Sequence, residues 1–379
     1  MHRSGTSMLA RCVHLLGANI ARRVIPTDVA INRDGFFEDA EVVALNDELF
    51  ALLNSCWYDF QPLLHDAADL ESIKRWQNKA LDHLREEYGG KRLSLIKDPR
   101  LSRLWRYWAP IFNQAGLNVD LVHILRRPEH VAVSLNRRNG MPVASGLLLW
   151  CAHIIDTLCV MDSDQPWTTF FYGSFLGEPH KNIKLTIAML GDDIDESDYA
   201  FIEGGIGKPR SSTIPSSDDG LVLVPDLDDF ASQLYQFLEN NYKDGKLTIA
   251  QQDAERLNNE YQQLLSRRSA ECKTLAVLTH ELISLNGKLV EIGELHSQAQ
   301  NIVAERDGQL GGLNEELSRV GAELKHAQSV VLERDGQLAN LGGQLADLSG
   351  QLADLNEQIA RYESVWFRRA CRYVRRLFV

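Results

Sequence analysis

Two periodicities divide the chain. Up to about residue 245, short apolar runs alternate with stretches of helical spacing. Residues 92–97 (RLSLIK), 119–125 (VDLVHIL) and 167–172 (WTTFFY) read as strands. The first two end in polar, proline-containing turns, KDPR and RRPE, before helical spacing resumes. Strands separated by helices predict an α/β domain over residues 1–240, with a parallel sheet flanked by helices. Ligands in such sheets sit at the carboxyl ends of the strands, so the polar residues after each strand are where chemistry is expected. Residues 146–161 form the most apolar stretch, but His153 and Asp156 interrupt it and it is too short for a bilayer span. It is expected to be a buried helix.

Beyond residue 245 a heptad pattern takes over. Steps of three and four from Leu275 reach Leu278, Leu282, Leu285, Leu289 and Ile292, and continue in one register to Ile359. The register extends back through Leu264, Tyr261 and Leu257. This is a coiled-coil seam over residues 250–362. The hexapeptide ERDGQL at 305–310 recurs at 333–338, four heptads later, so Arg306 and Arg334 occupy equivalent seam positions. They either set register or partner number, or mark weak points. Glycines such as Gly311, Gly312, Gly342 and Gly343 each cost about 1 kcal/mol in a helix interior. The rod is therefore expected to be stable mainly by self-association, as a homo-oligomer. Leucine at both seam positions leaves strand number and orientation open.

Residues 363–379 differ again. Trp366, Ala370, Tyr373 and Leu377 share one helical face, and Arg368, Arg369, Arg372, Arg375 and Arg376 dominate the other. A basic amphipathic helix of this kind fits an anionic membrane surface, an acidic partner, or plain solvent.

The chain has 379 residues and a formal charge of −12, which argues against a nucleic-acid partner. The charge is uneven. Residues 91–140 carry 10 basic and 3 acidic side chains, an island suited to a local anion site. The six cysteines form no CxxC pair and the eleven histidines no HxxxH or HExxH pattern, so neither a disulfide framework nor a metal site is expected. With no secretory signal at Met1, a cytoplasmic location is expected, with the basic tail touching the inner face of the membrane.

The strongest candidate chemistry is at the start. His2-Arg3-Ser4-Gly5-Thr6-Ser7 enters a helical pattern, so its backbone N–H groups, its hydroxyls and the Arg3 fork suit a phosphate or sulfate. The stretch lacks the GK[ST] ending of an ATPase loop. Arg126 ends the second strand, and Ser134 lies about two turns into the helix that follows. That pair suits a second phosphate, or else is surface decoration.

The order RSGTS, KDPR, RR-P-x5-S resembles the sulfotransferase family that uses 3′-phosphoadenosine 5′-phosphosulfate (PAPS), in its bacterial carbohydrate form with a C-terminal coiled coil. The resemblance covers about residues 1–240 and implies a P-loop-type parallel sheet. It implies that Arg3, Ser4, Gly5, Thr6 and Ser7 form the 5′-phosphosulfate loop and that Arg126 and Ser134 hold the 3′-phosphate. Lys97, in Lys97-Asp98-Pro99, would neutralise charge near the transferred group together with Arg3. Residues 32–38 (NRDGFFE) resemble the segment that follows the loop in bacterial members, and Glu38 becomes the candidate base, with Asp98 as runner-up. Glu38 reads equally as a helix-start carboxylate. The family places a strand ending in glycine just before the loop, so that strand is expected to be missing from this chain's sheet. Residues 201–212 (FIEGGIGKPRSS) are a weak match to a late basic loop over the 3′-phosphate, and a plain linker is the alternative. The resemblance implies sulfuryl transfer to a carbohydrate or glycolipid hydroxyl, in cell-surface polysaccharide synthesis. The alternatives are an impaired sulfotransferase-like scaffold of a glycan-assembly complex, and a nucleotide kinase or ATPase disfavoured by the missing loop lysine.

Overall fold

The computed structural model describes residues 1–26, 35–63, 68–161, 167–190 and 225–377. It divides into two compact units, Met1–Val290 and Glu291–Val379. The expected segment 201–212, and residues 32–34 of the segment 32–38, lie outside the described residues.

The first unit is mostly helical. Its elements run α1 (Thr6–Leu15), α2 (Ala40–Leu52), α3 (Leu70–Tyr88), α4 (Leu101–Ala115), β1 (Val122–Leu125), α5 (Pro128–Asn139) and α6 (Val143–Val160). There follow β2 (Thr168–Phe171), α7 (Tyr172–Gly177), α8 (Pro179–Leu190), α9 (Pro225–Asn240), β3 (Tyr242–Lys243), β4 (Lys246–Leu247), α10 (Gln251–Arg267) and α11 (Ser269–Leu377), which continues into the second unit. Local chemistry explains several boundaries. Asp39 caps α2 by accepting from Glu41 N at 2.9 Å, and Asp69 caps α3 by accepting from Ser72 N at 2.9 Å. α5 opens on Pro128 and closes on Gly140 at φ 71°.

Among the described residues the sheet has four short strands in the order β1-β2-β4-β3. β1 and β2 are parallel, with Val122 opposite Thr168 and Leu125 opposite Phe171. β4 joins β2 antiparallel, and β3 and β4 form a hairpin turned at Asp244-Gly245, both with positive φ. The sheet is therefore small and mixed, where a parallel one was expected. The strand expected at 92–97 does not form. Ser94 makes one parallel bridge to Asn19, flanked by Asn19 N to Leu93 O at 3.0 Å and Leu95 N to Asn19 O at 2.8 Å. A strand needs a ladder of partners, and the neighbouring backbone offers a single residue. Residues 93–96 are accordingly half-buried rather than core.

α6 is the centre of the largest core. Val143–Val160 is long and apolar enough to cross a membrane, yet 72% of it is buried within the protein. α5 lies so close to it that a Cβ on Gly146 would sit 2.8 Å from the Ala132 Cα. A second core joins α2, α3 and α4 through Phe50, Trp76, Trp108 and Leu49. Two of its indoles are hydrogen-bonded, Trp76 Nε1 donating to Leu45 O at 2.8 Å and Trp108 Nε1 to Asn46 Oδ1 at 2.7 Å. A third, smaller core packs α1 against the sheet and α8 through Leu9, Cys12, Ile124, Phe170 and Ile183. This last core sets the start of α1 beside the ends of β1 and β2.

The early part of the heptad pattern belongs to the first unit. Leu257, Tyr261 and Leu264 are buried in the α6 core, and the Tyr261 hydroxyl donates between Phe60 O at 2.7 Å and Leu148 O at 3.0 Å. Thr279, one turn after Leu275, donates to Ser145 Oγ at 2.8 Å in a buried contact. Spacing of three and four serves a core-facing helix as well as a seam, so the pattern does not mark where one use ends. In the second unit α11 is one helix, and its seam is open: Leu310 is 57% and Leu317 73% exposed. Trp366 and Phe367 near its end are 72% and 67% exposed.

Candidate anion site

The loop His2–Gly5 enters α1 through two left-handed residues, Arg3 at φ 63° and Gly5 at φ 99°. Gly5 is the N-cap, with no side-chain cap bond and no acidic residue in the first turn. Unused amide donors at a helix start carry partial positive charge. The start of α1 faces a cavity of about 200 Å³ lined by His2, Arg3, Gly5, Thr6, Ser7 and Met8, with Phe36, Glu38, Lys97, Pro99, Arg126, Arg138 and Tyr172 across from them. Gly5 is needed sterically as well, because a Cβ there would overlap the Tyr172 ring.

Arg126 follows β1 directly. Its NH1 donates to Arg3 O at 2.9 Å, and its guanidinium lies 4.8 Å over the Tyr172 ring. Its Nε is buried without a partner, and burial pulls its pKa below the ordinary arginine value. Among the described residues no carboxylate neutralises it. Ser134, on α5, accepts from Arg3 Nε at 2.9 Å. The structure thus joins Arg126 and Ser134 through Arg3; Ser134 itself does not line the cavity. Ser4 is buried beneath the loop and does not line the cavity.

Lys97 reaches the same cavity from the turn before α4. Its Nζ donates to Glu38 Oε1, to Phe36 O at 3.0 Å and to Ser7 Oγ at 3.4 Å. The Lys97 and Glu38 side chains are only 9% and 10% exposed. Burial raises the Glu38 pKa above 4.5, against the opposing pull of Lys97 and with a smaller push from Asp98. Asp98, the other base expected, is fully buried and held by Arg100, through N at 2.8 Å and NH1 at 3.1 Å. It does not line the cavity.

Sequence patterning missed Arg138 and Tyr172, and gave His2 no role beyond its place in the loop. Arg138 stands one helical turn after Ser134, and that spacing was its only signal. Burial, then the charge of Arg3, lowers its pKa to about 10 while Glu38 opposes the shift. His2 packs on Trp57 at 4.8 Å between centroids, and burial, helped by Arg100 and Arg138, holds it neutral. The lining therefore carries four cations, Arg3, Lys97, Arg126 and Arg138, against the single carboxylate of Glu38. Among the described residues no group of three His, Cys, Asp or Glu side chains is placed to hold a metal ion.

No family model, curated protein or solved structure matches the chain.

Proposed function

We propose that the chain is a PAPS-dependent sulfotransferase acting on a hydroxyl of a carbohydrate or glycolipid. The observation that carries this is the half-buried, unneutralised Arg126, its Nε enclosed without a partner, beside the start of α1 and Arg3, an arrangement suited to a phosphate or sulfate. The parallel β1–β2 pair, with Arg126 at the carboxyl end of β1, supports a P-loop-type relationship. The acceptor class rests on the resemblance alone.

PAPS, when bound, supplies an activated sulfuryl group. In this reading Arg3, the α1 amides and Arg138 hold the sulfonate and the bridging phosphate, and Arg126 with Ser134 holds the 3′-phosphate. Lys97 stabilises charge that develops on the oxygen leaving sulfur. Glu38 takes the acceptor proton as the new sulfur–oxygen bond forms, and adenosine 3′,5′-bisphosphate departs. Positioning and charge stabilisation provide most of the acceleration, as in phosphoryl transfer.

One observation favours the scaffold alternative. The Lys97 ammonium already has Ser7, Phe36 and Glu38 as partners, a closed arrangement typical of a structural pair. Calorimetry with adenosine 3′,5′-bisphosphate and ATP, followed by a transfer assay with labelled PAPS, separates the readings. The enzyme reading expects the bisphosphate to bind more tightly than ATP and label to reach a sugar hydroxyl. Binding without transfer supports the scaffold. Tighter ATP binding, or no nucleotide binding, overturns the proposal.

A further inference from the structure

Arg306 and Arg334 sit on the solvent-open seam of α11, and no carboxylate of their own chain pairs with either among the described residues; Arg306 NH1 reaches Gln309 Oε1 at 3.3 Å. Taking Leu275 as heptad position a places Val303, Leu310, Val331 and Leu338 at a, Arg306 and Arg334 at d, and Asp307 and Asp335 at e. The four a residues are 58%, 57%, 58% and 65% exposed. A row of this length needs a cover, and the charges on it say which.

We infer that α11 pairs with α11 of a second copy of this chain, parallel and in register, as a two-stranded coiled coil. Arg306 and Arg334 of each copy then form ion pairs with Asp307 and Asp335 of the other. In a parallel pair, a d side chain enters a hole formed by the facing helix's preceding a, same d, adjacent e and following a residues. For Arg306 that hole is Val303, Arg306, Asp307 and Leu310; for Arg334 it is Val331, Arg334, Asp335 and Leu338. Both holes have the same four residue types, and each supplies one carboxylate beside two guanidinium groups at its edge.

The register follows from the rest of the seam. Between residues 293 and 356 the e positions carry aspartate only at 307 and 335. Perfect register therefore makes four Arg–Asp pairs per dimer. A slip of four heptads keeps two and gains one Arg334–Glu363 pair, still one fewer than in register, and slips of one, two or three heptads keep none. An antiparallel pair flanks e with e, so bringing the motifs opposite one another would set Asp307 against Asp335. A third strand would enclose the guanidinium groups, whereas two strands let their ends reach water. Polar seam residues of this kind trade stability for a unique pairing.

The test uses the full chain with the exposed Cys159 and Cys371 changed to Ser and Leu313→Cys added at a d position. The expected result is a dimer by sedimentation, with near-complete disulfide cross-linking at position 313 under mild oxidation. D307K/D335K is expected to weaken the dimer at least tenfold, and adding R306E/R334E to restore it. Monomer at about 10 μM, a trimer or larger mass, a dimer that does not cross-link, or unchanged dissociation of D307K/D335K each overturns the inference. Nucleotide binding, measured on the same samples, is independent of every one of these outcomes.

Discussion

Lys97 and Glu38, 59 residues apart in sequence, close an ion pair inside the anion cavity with little access to water. Removing one member of such a pair leaves the other buried alone, which costs about 3–5 kcal/mol. Lys97→Met is therefore expected to lower the melting temperature strongly at pH 7, and Glu38→Gln/Lys97→Met to recover much of the loss. The Lys97→Met deficit should shrink as pH falls, because the stranded Glu38 can then protonate. A deficit that does not change with pH would show that Glu38 is not the stranded group.

Glu38→Gln alone tests the proposed chemistry. Turnover is expected to vanish while the affinity for adenosine 3′,5′-bisphosphate changes less than about threefold. Because burial raises the Glu38 pKa, the wild-type rate should climb with pH through a midpoint above 4.5. Retained turnover in the Gln variant removes Glu38 from the base role.

Arg126 is half-buried without a counter-charge, so its value should lie in binding rather than in stability. Arg126→Met is expected to change the melting temperature little. Affinity for the bisphosphate should fall about 10- to 150-fold, the equivalent of a charge-assisted hydrogen bond of about 1.5–3 kcal/mol. A large loss of stability with unchanged affinity would mark Arg126 as structural.

Gly5→Ala places a β-carbon in a left-handed conformation, at about 1–2 kcal/mol, and against the Tyr172 ring. Melting should drop by several degrees, and bisphosphate binding should weaken with it. Wild-type behaviour in both would mean that the loop has another conformation.

Asp39 links the start of α2 to α3: its Oδ2 lies 2.6 Å from His83 Nε2 and accepts from Tyr88 OH at 2.7 Å. Burial pulls the His83 pKa down, but the bond and charge of Asp39 outweigh it and leave the pKa above 6.5. Burial raises Asp39, and its bonds to His83 and Tyr88 bring it below 3.8. A raised histidine stabilises fully below its unfolded value and loses that contribution as pH rises through its folded pKa. A lowered carboxylate stabilises above its unfolded value and loses that contribution as pH falls through its folded pKa. The melting difference between wild type and His83→Gln should therefore be widest between about pH 4 and 6.5 and narrow as pH rises through the raised His83 pKa. A difference that grows with pH contradicts the pairing.

Strands and helices that end in strong local signals were readable from sequence. β1 and β2 fall inside the expected runs, and α5 opens on Pro128 and closes on Gly140. What patterning did not reveal depends on partners distant in sequence. Residues 92–97 have strand composition but meet only Asn19. Leu257, Tyr261 and Leu264 keep a heptad beat, yet α6 covers them. Within the cavity, the motifs singled out Arg3, Lys97 and Arg126, all of which arrive there. Arg138 stayed hidden because arginine on a helix ordinarily faces water.

The packing of α6 also bears on how the chain is made. Its earlier neighbours, α4 and α5, are complete when it emerges from the ribosome, but α9 and α10, which cover its remaining sides, end at residues 240 and 267. At about 5–20 residues per second, the most apolar helix of the protein waits several seconds or longer for its cover. During that interval the nascent chain carries a segment that a chaperone or a membrane-insertion machine would recognise, so the order of synthesis leaves this protein one vulnerable moment before it folds.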